Sequence, residues 1–433
     1  MIETASSLTY DDAMNLRNFL ALLSVSATSL SPAKDWPQWR GPDRTGLSTE
    51  TGIIKSWENN APKLLWNVEG SGRGFSSVSI ADGVLYTTGN FEGGQGVSAF
   101  SIKDGKLLWQ TPVTDHVPKH GYDGARSVPT IDGDRLYITT SNGVIACLST
   151  KGKVLWEKDF KEKFGGKMMS GWGFSESPLV DGDRVLCTPG GDKAFIVSLD
   201  KKTGATKWKT KIDSDDLGSK GKDGAGYGSL IISNGGGVKQ YVQMTGRGLI
   251  GVRAKDGRFM WNYNKVANST ANIPTPIAIG DHVFGSTGYG TGSALVKLST
   301  KGSGVAAEEA YFLRPKTLQN HHGGMVLVDG HIYCAHKHNG GDPICVDIKT
   351  GEVKWGPEKG VGNGSACVTY VDGHLIYRYQ SGHVALVKAT PKGYELKGSF
   401  MPAHQEKESW AHPVVSDGKL YLREQNRIMC YEL

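Results

Sequence analysis

Histidine is the residue type whose placement offers most chemistry in this chain. Of its 12 histidines, His321, His322, His336, His338, His404 and His412 crowd between positions 321 and 412. Neutral imidazoles brought together are the commonest transition-metal ligands, which makes His321, His322, His336, His338 and His412 candidate ligands. His336 and His338 are two residues apart, so in an extended segment both face one side. The same residues equally suit a hydrogen-bonded lining, because no HExxH or other fixed ligand spacing accompanies them. A second set is Arg73, Arg126, Trp172, Glu176, Asn272 and Trp410. Guanidinium forks match carboxylates and indole faces stack on flat rings, so this set suits a planar, carboxylated ligand. Water-satisfied polar lining is the alternative reading. No GxSxG elbow is present, and runs such as Gly235-Gly236-Gly237 fit turns and open no helix, which argues against a serine hydrolase and a phosphate cradle.

These residues share a setting because the chain repeats itself. Residues 127–156, SVPTIDGDRLYITTSNGVIACLSTKGKVLW, read as three short strands and the start of a fourth, separated by Asp-Gly, Asn-Gly and Lys-Gly turns. Period-two alternation between such turns is the signature of antiparallel β-structure. Eight copies follow one another, with terminal aromatics at 66, 109, 156, 208, 261, 312, 355 and 400. Four strands at this period predict an all-β, eight-bladed β-propeller of four-stranded antiparallel blades over residues 62–433. The eighth unit stops at Leu433 after three strands, while Lys63–Val68 is a spare fourth strand, so the N-terminal strand is expected to complete the last blade and leave no open edge. Burying a blade-end Trp contributes roughly 4–6 kcal/mol as an upper bound, which accounts for its recurrence without a ligand. In this register the first-named candidates fall on loops that enter the innermost strands or join second and third strands. These loops share one face, with Tyr227, Arg247, Tyr289, Asn363 and Arg423 also placed there.

The unit, a D-G-x-x-Y strand followed by a hairpin and A-x-D-x-x-T-G-K-x-x-W, resembles the PQQ-like repeat. Its nearest copies are Lys202-Thr203-Gly204-Ala205-Thr206-Lys207-Trp208 and Lys349-Thr350-Gly351-Glu352-Val353-Lys354-Trp355. The resemblance implies the fold and leaves two functional branches open. Quinoprotein alcohol dehydrogenases use PQQ and calcium inside an eight-bladed propeller. For them the resemblance implies Arg73 and Arg126 on cofactor carboxylates, with Trp172 or Trp410 stacked on the ring. Propellers similar to the outer-membrane protein assembly factor bind partner proteins and are not enzymes. The chain departs from both. No two cysteines are adjacent, as the dehydrogenases' ring over the cofactor requires. Pro189-Gly190-Gly191-Asp192-Lys193 offers only Asp192 where they carry a calcium-binding glutamate, and no lipid-accepting cysteine follows the N-terminal apolar run.

Charge and cysteine content narrow the classes further. The 49 basic and 43 acidic residues are interspersed at a net +6, with no Lys/Arg block, so no nucleic-acid footprint is expected. Phe19–Ala27 is a short apolar run behind Arg17, with small residues at Ser31-Pro32-Ala33. This pattern predicts a signal peptide over 1–33, with Met14 a plausible start, and a run too short to span a bilayer. Residues 34–61, with Trp36, Pro37, Trp39 and Pro42, predict an irregular arm packed on the body. Six cysteines are either buried thiols or partners, Cys334 and Cys345 being placed to face each other across a hairpin. The expectation is a periplasmic or extracellular monomer. It is a binding or scaffold propeller taking a protein or small-molecule ligand on its channel face, with a PQQ- and calcium-dependent dehydrogenase as the alternative.

Overall fold

Residues 35–433 are described by the computed structural model; the apolar run and its cleavage region lie outside them. Eight four-stranded antiparallel sheets form the blades, seven of them ordered from the innermost strand outward in chain sequence. The propeller expectation therefore holds. Blade 1 comprises Ser79–Ala81, Val84–Phe91, Gly94–Ser101 and Leu107–Pro112, and blade 2 comprises Thr130–Asp132, Arg135–Thr139, Val144–Ser149 and Val154–Asp159. Blade 8 takes Val414–Ser416, Lys419–Glu424 and Arg427–Glu432 from the C-terminus and its outer strand, Leu64–Glu69, from the N-terminus. Trp66 pairs with Cys430 and Val68 with Ile428, so the ring closes as the strand count requires. The innermost strand of the second unit is shorter than its alternation suggests. Ser127 and Val128 lie in the entering loop, where the Ser177 hydroxyl holds the Val128 amide.

The repeated T-G-K-x-x-W segment has a mechanical meaning. In blade 2 Cys147 faces Trp156 but Leu148 faces Val154, so Leu155 bulges out of the ladder. Blade 1 bulges at Leu108 and blade 3 at Lys207 in the same way. A bulge just before the Trp re-aims its ring. The ring then packs on its own blade's Tyr, Trp109 on Tyr86 and Trp156 on Tyr137, while its Nε1 donates to the next blade. Trp109 reaches the Thr150 carbonyl at 3.1 Å and Trp156 the Lys201 carbonyl at 3.3 Å. The glycine of the next blade's motif lies beneath that ring. Gly204 has φ +72, and a Cβ there would stand 2.8 Å from Trp156. Gly182, in an Asp-Gly turn at φ +62, has nothing within 4 Å. Gly204→Ala should therefore cost roughly 2 kcal/mol, against about 1 for Gly182→Ala, which meets only the backbone strain. Denaturant midpoints of the two variants check this, and equal losses would mean that the Trp contact is slack.

The six cysteines are free and buried. Cys334 pairs with Ile344 and Cys345 with Tyr333, so the two occupy neighbouring pairs on opposite sheet faces. Residues 35–61 hold no strand and pass beneath the ring on the side of the Asp-Gly turns, where Glu50 accepts the Gly418 amide and Lys55 pairs with Asp372. Their first part crosses the axis. The Trp36 backbone bridges Ile80, Pro37 accepts from Ile131, and Arg44 donates to the Ser177 and Leu230 carbonyls. Trp39 donates to Thr275, Arg40 to the Met325 carbonyl, and Tyr370 donates to Gly46. With Glu50 on blade 8, the arm touches every blade.

Candidate functional site

A propeller axis left open is a channel; here the arm makes it a blind cup. The cavity holds about 360 Å³ and opens toward the loops that enter the innermost strands. Trp39 forms part of its base, its ring 4.5 Å from that of His412. Among the sequence candidates, Arg126, Trp172, His321, His322, His338, Trp410 and His412 all line it. Phe75, Tyr122, Tyr227, Tyr289 and Gln380 complete much of the wall.

Four candidates lie elsewhere. Arg73 is exposed, and its backbone bridges Asn90. Asn272 is fully buried and spends its amide on the Thr245 and Gly246 carbonyls and on the Asn268 N–H. Glu176 accepts from the Thr188 hydroxyl at 3.0 Å and from Gln243 at 2.9 Å, joining blade 3 to blade 4. Burial pushes its carboxyl up to about 7, against the Thr188 N–H and hydroxyl and the charge of Arg44. His336 ends its strand and takes the Gln319 amide on Nδ1 at 3.3 Å. It does not face the same way as His338, because Lys337 between them adopts φ of 76° and turns the chain left-handed where alternation predicts an extended segment. Arg247 and Arg423, placed on the channel face by register, are used within the body. Arg247 pairs with Asp223, and Arg423 fills the seam between blades 8 and 1.

The cup's wall is a continuous layer of rings. Trp410 meets His322 at 4.6 Å, Phe75 at 4.8 Å and Tyr122 at 4.9 Å, and its Nε1 donates to Gln380. His321 lies 4.0 Å from His322 and 4.2 Å from His338. Its Nδ1 bonds Ser365 and its Nε2 bonds the Tyr289 hydroxyl. Both ring nitrogens of His321 are thus used within the protein, and the imidazoles meet ring against ring. Among the described residues no three His, Cys, Asp or Glu side chains converge as a metal ion needs. Burial lowers His321 and His412 to about 3 and holds His322 well below its usual range, so this wall is neutral at pH 7.

Arg126 is the cup's cation. Its Nη1 donates to the Gly124 carbonyl and contacts His120, and its Nη2 donates to the Gly121 and Tyr122 carbonyls, which fixes the 120–124 loop. The guanidinium stands 5.5 Å over the Phe75 ring. Burial lowers it to about 10, which leaves it charged at neutral pH. Among the described residues no carboxylate lines the cup; Asp123, Glu406 and Glu408 line the adjoining cleft. The loop register singles out neither Tyr122 nor Trp39 as a site residue. Tyr122 had a signal, an aromatic four residues before Arg126 in the same loop, whereas Trp39 belongs to a segment outside the repeat.

Comparison with known proteins agrees with this architecture. Over 142 residues the chain is 30% identical to the outer membrane protein assembly factor BamB of Kangiella koreensis, covering 31% of this chain and 32% of that protein. Over 169 residues it is 30% identical to the quinoprotein ethanol dehydrogenase of Pseudomonas putida, covering 36% and 26%. Each match spans less than a third of the relative's length. The crystal structure of the quinohemoprotein alcohol dehydrogenase of Comamonas testosteroni superposes with a TM-score of 0.63 at 14% identity, over 92% of this chain and 80% of that one, which speaks for the fold alone. A family profile matches residues 93–356, well over half of the chain, and with the eight blades in place the chain belongs to the PQQ_2 family, described as outer membrane protein assembly factor BamB.

Proposed function

We propose that this protein is an exported binding protein that captures its ligand in the loop-side cup and performs no redox chemistry there. The observation that carries the reading is the composition of the wall: aromatic rings, neutral imidazoles and one guanidinium, with no carboxylate among the described residues. Export rests on the apolar run at 19–27, and no helix among the described residues is long and apolar enough to cross a membrane.

The dehydrogenase relative and the gathering of Arg126, Trp172 and Trp410 in one cup favour a second reading, a PQQ- and calcium-dependent enzyme. The residues do not fit its metal. Calcium takes about six to eight oxygen ligands, several of them carboxylates. Glu176 is committed to Thr188 and Gln243, and Asp192 holds its own Lys193 amide on an exposed turn. Titrating the purified protein with PQQ and Ca²⁺, with absorbance and dye reduction as readouts, separates the readings. The expected result is no stoichiometric uptake and no alcohol-dependent dye reduction. Tight uptake with turnover would overturn the binding-only function.

A further inference from the structure

The ligand class of the cup can be narrowed from its charge and shape, on the premise that the cup is the binding site. We infer that the cup binds a small planar aromatic molecule bearing a single anionic group, of the aromatic monocarboxylate kind, without a metal. Three independent observations lead there.

The first is size. A cavity of about 360 Å³ is at the small end of the range of about 300–1,000 Å³ typical of ligand pockets, so it suits a one- or two-ring molecule. The second is charge. Arg126 is the cavity's cation, and among the described residues it makes no ion pair, while the nearest acids line the neighbouring cleft. An aromatic cage without a carboxylate could hold a cation by its ring faces. A guanidinium in the same wall repels one and favours an anion. One guanidinium with four of its N–H directions already given to the 120–124 loop supplies attraction for one anionic group and no fork for several. The third is an unused polar atom. His338 Nδ1 is buried in the described structure without a hydrogen-bond partner. A neutral imidazole nitrogen either donates or accepts, so it provides one polar contact for a ligand otherwise held by rings.

The test uses three probes of equal shape and different charge: para-nitrobenzoate, para-nitrobenzyl alcohol and protonated para-nitrobenzylamine. Calorimetric titration of the full protein should rank them in that order, with at least a tenfold step from anion to neutral probe. Arg126→Met should abolish that step while leaving alcohol binding in place, and Arg126→Lys, which keeps the charge and loses the loop contacts, should retain the preference. The ranking in the unsubstituted protein decides the matter even where Arg126→Met fails to fold. Equal affinities, a preference for the amine, or no saturable binding of any probe in the millimolar range each overturn the inference. That failure is distinct from failure of the binding-protein reading, which falls only on PQQ uptake with turnover.

Discussion

Acidification from pH 7 to pH 4 should lower the stability of this protein by several kcal/mol, with the loss centred on the imidazoles of the cup. A histidine whose folded pKa is depressed stabilises the fold fully above its unfolded value of about 6.5 and gives that stability up as pH falls toward the folded value. For His321 and His412 the folded value is about 3, set first by burial; then by His338 for His321, and by Arg40 and Arg378 for His412. Each therefore contributes about 5 kcal/mol as an upper bound, lost between about pH 6.5 and 3. His322 is depressed in the same direction. Glu176 works the other way. Its carboxyl is raised to about 7, so its contribution is complete below about 4.5 and lost as pH rises to 7, at most about 3 kcal/mol. Two histidines outweigh one glutamate, and the net slope is a loss on acidification. The check is the melting temperature across this range for the parent and for His412→Gln, which keeps the bulk beside Trp39 and removes one titration. The variant's profile should be visibly flatter. A profile parallel to the parent's would mean that His412 protonates as readily in the fold as in the unfolded chain, contrary to its burial.

Much of this fold is legible in sequence because its information is local. An Asp-Gly turn, a Tyr three or four residues on and a Trp about twenty residues later are fixed by backbone geometry within one blade, and the count of strands then demands closure by Leu64–Glu69. The loop register carried the site part of the way. It placed Arg126, Trp172, His321, His322, His338, Trp410 and His412 at the mouths of their blades, and the cup gathers them. Register states where a residue stands along a strand, not where its side chain goes once a neighbouring blade is packed against it. Glu176 and Asn272 turn into the body for that reason, Glu176 answering a donor of the next blade and Asn272 carbonyls of the preceding one. Arg73 bridges Asn90 through its backbone and is not among the residues lining the cup. His336 and His338 part company because the left-handed Lys337 stands between residues that alternation would align. Trp39 lay beyond this reasoning altogether. The arm carries no repeat, and its place at the axis depends on backbone carbonyls from all around the ring, which no local pattern announces.

Replacing Arg423 with methionine should cost about 3–5 kcal/mol, comparable to losing a buried charged network, and should open the ring where its two ends meet. Arg423 is 2% exposed on the second strand of blade 8. Its Nη1 donates to the Thr87 hydroxyl at 2.6 Å and to the Ser76 and Thr88 carbonyls. Its Nη2 donates to Gly72 at 2.8 Å and to Ser71, and its Nε to Gln425. Five acceptors of blade 1 and its entering loop thus converge on one side chain from blade 8, inside the seam that Leu64–Glu69 closes at the outer edge. Burial lowers the guanidinium to about 9, which still leaves it charged at pH 7. Methionine keeps most of the volume, so the loss reads the unpaired carbonyls more than a cavity. Lysine presents three donors from a single point and cannot span acceptors set around a planar fork, so Arg423→Lys should recover only part of the loss. Denaturant midpoints give the magnitude, and hydrogen exchange gives the place: amides of Ser71–Thr88 and of Arg427–Glu432 should lose protection before those of blades 3 to 6. Uniform loss of protection around the ring, or a methionine variant as stable as the lysine one, would show that the outer strand alone fastens the propeller.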